Sequence, residues 1–226
     1  MLTSKRLLVV IVLTGSVFTG CSKKSTEPTE TQPKFPTFAL TAPAQATDTC
    51  GGPAYAYVSS IKSLLQSASI LGLLPGQNIN GVWTSQFPLN GTTLTLTSQR
   101  QSNDSIQWLL LWNGTDTSSQ QTYSDWKLLE GNSSSDGKSG ALTIYDDSDP
   151  SSQTPSMNIS WQTLSSGATE ATIDNFSGGT ADTRIILIAN PNGSGEITES
   201  MWSGSAWVET GYHATWTGEG ATAVCT

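Results

Sequence analysis

From residue 80 onward, apolar and polar positions alternate with a period of two. In TTLTLTSQ (92–99), Leu94 and Leu96 share one face and the threonines take the other. SIQWLLLWNG (105–114) groups Ile106, Trp108, Leu110 and Trp112 against Leu109 and Leu111. MNISWQTL (157–164) aligns Met157, Ile159 and Trp161, and GALTIYDD, TRIILIAN, GEITESMW and SAWVETGYHATW continue the pattern. Such a period sends successive side chains to opposite faces of a sheet. The runs are separated by LNGT, WNGTD, EGNSSSDGKSG, FSGGTAD and NPNGSG, all rich in turn formers. The pattern predicts a mainly β fold: an antiparallel up-and-down meander of about ten strands. A sheet of that length closes into a barrel or curls strongly, because closure removes its edges. DGKSGALTIY, NPNGSGEITE and WTGEGATAVC each put a glycine just before a new strand, where a hairpin needs positive φ or a bulge.

One earlier segment has a helical period. In 51–76, apolar residues recur at Ala54, Tyr57/Val58, Ile61, Leu64/Leu65, Ala68 and Leu71, with Ser59, Ser60, Lys62 and Gln66 elsewhere on the wheel. This predicts one N-terminal amphipathic helix over about 53–73. Gly52 is its expected N-cap, Pro53 its first residue, and LLPG its stop. Ahead of it, SKKSTEPTETQPKFPTF (22–38) is polar and proline-spaced, the composition of a flexible tether. The reading gives three parts: 1–20, a tether over 21–37, and a single β domain over 38–226.

The first part carries a targeting signal. Lys5 and Arg6 precede LLVVIVLTGSVF, an apolar run of 12 residues. A bilayer span needs about 20, so the run has the layout of a secretion signal. The FTGC that closes it (18–21) resembles a bacterial lipobox: a bulky apolar residue, two small ones, then cysteine. That resemblance implies cleavage between Gly20 and Cys21 and a diacylglyceryl group on the Cys21 sulfur. It also implies the outer membrane as destination, in a cell that has one, because Ser22 rather than Asp follows the cysteine.

Cysteine parity agrees with this. The chain has 3 cysteines, Cys21, Cys50 and Cys225. A lipidated Cys21 leaves Cys50 and Cys225 to pair in an oxidising compartment. A metal pair is the other reading, but no second Cys or His cluster completes a zinc site. Loss of residues 1–20 removes 2 of the 10 basic residues and none of the 18 acidic ones, so 8 − 18 leaves −10. That balance excludes nucleic acid and anionic membrane surfaces as partners of the domain. Membrane attachment is expected through the lipid alone.

Candidate chemistry is sparse. His213, the single histidine, shares a strand face with Glu209 and Thr215, a pairing that serves acid–base work or simply a solvated face. Asp146, Asp147 and Asp149 crowd one turn, yet the stretch lacks the glycine and distal glutamate of a calcium loop. There is no Gly-x-Ser-x-Gly elbow, no metal-binding histidine pair and no phosphate loop, so no catalytic residue and no cofactor are expected. NGVWTS (80–85) is similar to the Gly-x-Trp signature opening the first strand of lipocalins, with Gly81 and Trp83 in the matching positions. That similarity implies a barrel enclosing a small apolar ligand, with Trp83 at the site. Trp202 and Trp207, of 8 tryptophans, flank a Ser/Gly turn where an exposed ring can stack on a sugar or another flat ligand. The expectation is a lipid-anchored envelope protein that binds without catalysis, taking a small apolar ligand or an envelope partner. The alternatives are a structural lipoprotein with a filled β core and a glycan-binding module using exposed tryptophans.

Overall fold

In the computed structural model, which describes residues 31–36 and 40–226, the alternating segments form one antiparallel sheet. Each strand pairs only with its sequence neighbours: β1 (Gln77–Ile79), β2 (Val82–Leu89), β3 (Thr92–Arg100), β4 (Ser105–Thr115), β5 (Thr122–Ser134) and β6 (Ser139–Tyr145). Then follow β7 (Pro155–Thr163), β8 (Thr169–Ser177), β9 (Thr180–Ala189), β10 (Gly195–Trp202), β11 (Trp207–Trp216) and β12 (Val224–Cys225). The expected meander is present with 12 strands rather than about ten. It is also not a closed barrel: β1 and β12 are the unpaired ends of the order. These end strands have 3 and 2 residues, too few to zip the sheet shut. The expectations for Cys21 and Gly20 lie outside the described residues.

One face of the sheet is the core. Leu94, Leu96, Ile106, Trp108, Leu110, Leu142, Ile159, Ile173, Leu187 and Ile197 are buried to within a few per cent. They alternate with threonines, serines and charged groups on the other face, which Leu109, Leu111, Ile186 and Ile188 also share. We call these the inner and outer faces.

The chain covers the inner face itself. Helix α1 (Gly51–Gly72) turns Ala54, Val58 and Ile61 inward, the i, i+4, i+7 stripe of an amphipathic helix. Asp48 rather than Gly52 caps it, since the Asp48 carboxylate accepts the N–H groups of Cys50 and Gly51. The helix links the two ends of the sheet. At its start, Cys50 is joined to Cys225 of β12 by a disulfide with Cα atoms 5.6 Å apart, and Tyr212 of β11 donates to the Cys50 carbonyl. At its other end, Ser85 of β2 donates to the Leu74 carbonyl at 3.2 Å.

The segment before the helix runs the opposite way along the turns at one end of the sheet. Gln32 donates to the Leu74 carbonyl and accepts from the Gly76 N–H. Phe35 packs edge-on against Trp108, with centroids 5.0 Å apart. Ala44 donates to the Ala221 carbonyl in the β11–β12 connection. Gln32 to Pro36, assigned to the tether from composition, are therefore in contact with the β domain. The physical reason is that Phe35, an isolated apolar residue in a polar run, finds a buried site.

At that same end, two hairpins share a device. Trp161 of β7 lies opposite Gly140 of β6, and Trp216 of β11 opposite Gly195 of β10. A Cβ on Gly140 would sit 2.4 Å from the Trp161 ring, and one on Gly195 would sit 2.2 Å from the Trp216 ring. Only glycine lets each indole lie flat on the neighbouring strand. Trp161 donates its ring N–H to the Gly137 carbonyl and Trp216 to the Gly193 carbonyl, both in the preceding turn.

Candidate binding surface

Sheet parity sorts the tryptophans. Trp108, Trp112, Trp126, Trp161 and Trp216 are buried in the inner face, and Trp83 faces the same way opposite Ser98. Only Trp202 and Trp207 stand on the outer face. They form the last cross-strand pair of the β10–β11 hairpin, with centroids 5.2 Å apart and planes at 63°. The turn between them is fixed by Ser203, whose hydroxyl accepts the Ala206 N–H at 3.1 Å and donates to the Ala206 carbonyl at 2.9 Å.

Two residues on neighbouring strands hold this pair. The Arg184 guanidinium of β9 lies 4.4 Å from the Trp207 ring centroid, a cation–π contact. Arg184 is itself gripped by Asp174 of β8 through two parallel hydrogen bonds of 2.6 and 2.8 Å. That pairing holds the guanidinium even more firmly protonated than usual. The fork fixes the plane of Arg184, and Arg184 fixes Trp207. The register extends the arrangement into a row. Asn158, Asp174, Arg184, Ser200 and Glu209 lie side by side across β7 to β11, all on the outer face.

The other sequence candidates are dispersed. Trp83 lies near the opposite edge of the sheet and on the opposite face from Trp202 and Trp207, so the three form no single site. Its ring nitrogen is buried without a partner among the described residues. His213 lies 3.1 Å from Glu196 on the adjacent strand, at an angle that makes no hydrogen bond, and its Nδ1 meets the Thr226 hydroxyl at 2.6 Å. Its carboxylate neighbour is thus Glu196 rather than Glu209. The acidic turn is built as a structural loop. Asp146 and Asp149 accept backbone N–H groups from Ser148 and Ser151. The Asp147 carbonyl accepts from Tyr123, and the Ser152 carbonyl from Trp126. Burial, and then the charges of Asp146 and Asp116, push the Asp147 carboxyl above the usual carboxylate range. Among the described residues, no group of three His, Cys, Asp or Glu side chains is arranged to hold a metal ion.

A half-buried polar contact lies between the helix and the inner face. Tyr57 donates its hydroxyl to Glu199 of β10, and burial together with that carboxylate raises the phenol well above its usual value. Two depressions stand out on the surface, both open and polar. One of about 320 Å³ lies along Asn103–Ser105 and Asn132–Ser135, and one of about 180 Å³ lies along Ser160, Gln162, Glu170 and Thr172.

Sequence reasoning located Trp202 and Trp207 but missed their supports. Arg184 was visible as a lone charge opening the apolar run TRIILIAN, at an outward position. Asp174 sits in TEATIDNFS, whose weak alternation hides the strand, so its place beside Arg184 could not be read. No family model, no curated protein and no solved structure matches this chain.

Proposed function

We propose that this chain is a lipid-anchored cell-envelope protein that binds without catalysis, and that it binds on the outer face around the β10–β11 hairpin. The observation that carries the surface is the Trp202–Trp207 pair, held on the polar side of the sheet by Arg184 and Asp174. The pair is half-buried, where the sequence suggested an exposed ring and where the five tryptophans of the core are buried. The packing of Phe35, Leu40, Ala54 and Val58 against the inner face favours an envelope partner over a small apolar ligand enclosed by the sheet. It equally supports the filled β core of a structural or interaction lipoprotein, of which an outer binding face is the working part. The inward side of Trp83 supports a packing role for the Gly81-x-Trp83 motif.

The anchor rests on FTGC. Cys21 carries the lipid, and the −10 net charge of the chain after cleavage leaves the acyl chains as the means of attachment. Each buried methylene contributes about 0.8 kcal/mol, so two or more chains hold stably where one does not. Ser22 supports the outer membrane in a cell that has one.

Two experiments test the proposal. Growth with a radiolabelled fatty acid should label the wild type and leave Cys21→Ser unlabelled; an unlabelled wild type overturns the anchor. A photoreactive residue at Ser200 should cross-link to a component of intact cells, whereas one at Thr95, on the outer face of β3, should not. Equal yields at both positions overturn the binding surface.

A further inference from the structure

We infer that the outer surface of β7 to β11 is a site for a neutral glycan chain, laid across the strands with one sugar ring on the Trp202–Trp207 pair. The inference rests on the outer-face reading above and names its ligand class.

Three features of the surface point to a glycan. The first is chemical. The axial C–H groups of a pyranose pack against an indole face, and its vicinal hydroxyls are met by planar groups that donate or accept in pairs. The outer face supplies both: two half-buried indoles at the hairpin end, and the carboxylates of Asp174 and Glu209 and the guanidinium of Arg184 in the adjoining row, where the Asn158 amide oxygen is buried. The second is geometric. Neighbouring strands lie about 4.8 Å apart, so the five-strand row spans about 19 Å. The strand spacing is close to the length of one hexose unit, which lets a chain running along the row meet a new side chain at each sugar. The surface is an open sheet face without end walls, suited to the interior of a chain rather than to its terminus. The third is electrostatic. Arg184 is the sole cation of the row and is already matched to Asp174. Glu209 is left over, with Asp182 nearby on β9. An excess of negative charge repels anionic polysaccharides and favours neutral ones.

The held geometry also limits the cost of binding. Arg184 is locked by its fork and Trp207 by Arg184, so little side-chain freedom remains to be lost. The half-buried state of Asp174 and Arg184, at 20% and 30% side-chain exposure, keeps the fork in place while leaving its edge open.

The test uses the full chain purified from membranes in detergent, titrated by calorimetry with chitohexaose, cellohexaose and an alginate hexamer. A neutral hexamer should bind in the millimolar to micromolar range, and the anionic one at least tenfold more weakly. Trp207→Ala should lower the affinity at least tenfold and Trp207→Phe should restore most of it. Met201→Ala, on the inner side of the same hairpin, should leave it unchanged. The melting curve of each variant shows whether the fold persists, and the Phe variant keeps the test decisive if the Ala variant is unfolded. No binding of either neutral hexamer, or binding indifferent to Trp207→Phe and Trp207→Ala alike, overturns the glycan. The Ser200 cross-link separates the two levels. A cross-linked envelope protein lost in Trp202→Ala, without glycan binding, overturns the ligand class and keeps the surface. Loss of both signals overturns both.

Discussion

The β6–β7 and β10–β11 hairpins are built alike at one end and differently at the other. At the shared end, Trp161 lies on Gly140 and Trp216 on Gly195, each donating to a glycine carbonyl in the turn. At the far end, the β6–β7 connection folds Asp146 to Ser152 onto the neighbouring strand, where Tyr123 and Trp126 donate to its carbonyls. The β10–β11 connection is a tight Ser–Gly–Ser–Ala turn with no such cover. Trp202 and Trp207 stand beside it on the outer face, and Met201 and Val208 on the inner side are more than half exposed, at 53% and 54%. The same strand pair thus buries its indoles fully at one end and only half at the other. The indoles are buried where glycine and a turn carbonyl receive them, and half-buried where the Arg184 side chain does.

Breaking the structural end should have the largest effect. Trp216→Ala removes a buried indole and its hydrogen bond and should cost about 3–5 kcal/mol, read as a lower urea midpoint. Gly195→Ala attacks the same contact from the other side, and its Cβ forces the indole to move, for about 1–3 kcal/mol. The disulfide comes next. Cys50→Ser with Cys225→Ser should cost about 2–4 kcal/mol, since the bridge spans 175 residues and ties α1 to the short β12. At the hairpin end Trp202 is half-buried, and Trp202→Ala should cost about 1–2 kcal/mol, the aromatic pair contact plus the part of the ring's area already taken from water. A loss as large as that of Trp216→Ala would erase the distinction between the two ends.

The smallest effect concerns the covering turn. Below its ordinary value of 3.8, Asp147 is protonated both folded and unfolded and costs nothing. As pH rises, the unfolded chain ionises first, and the folded form is penalised because its carboxyl is pushed up. Asp147→Asn should therefore raise the melting temperature at pH 7, and the gain should vanish at pH 3. A loss at pH 7 would show that the carboxylate is a stabilising partner instead.

Parity made much of this legible from the sequence. Leu94, Leu96, Ile106, Trp108 and Leu110 announce the inner face, and Cys50 and Cys225 form the disulfide expected if Cys21 is set aside. The strands that escaped did so for physical reasons. In β5, the buried residues Tyr123, Trp126, Leu129 and Ser133 are spaced irregularly, because two register shifts against β4 break the alternation. β8 offers only Ala171 and Ile173 to the core, and β1 is too short to show a period; β12, equally short, was marked only by the glycine ahead of it. The docking of Gln32 and Phe35 was hidden as well, since nothing local marks them as residues that contact the sheet. Half of the candidate surface was legible, as Trp202 and Trp207. The Asp174–Arg184 fork was not, since it depends on the register of a strand the pattern concealed.

The inner face is a buried core, and the outer face is the proposed working surface. The most direct test is titration of the full chain in detergent with a photoactivatable fatty acid, followed by mapping of the labelled peptides. The account predicts no saturable labelling of inner-face segments such as Ile106–Leu110 or Ile185–Leu187. Saturable, one-to-one labelling there would contradict it and place a ligand inside the sheet.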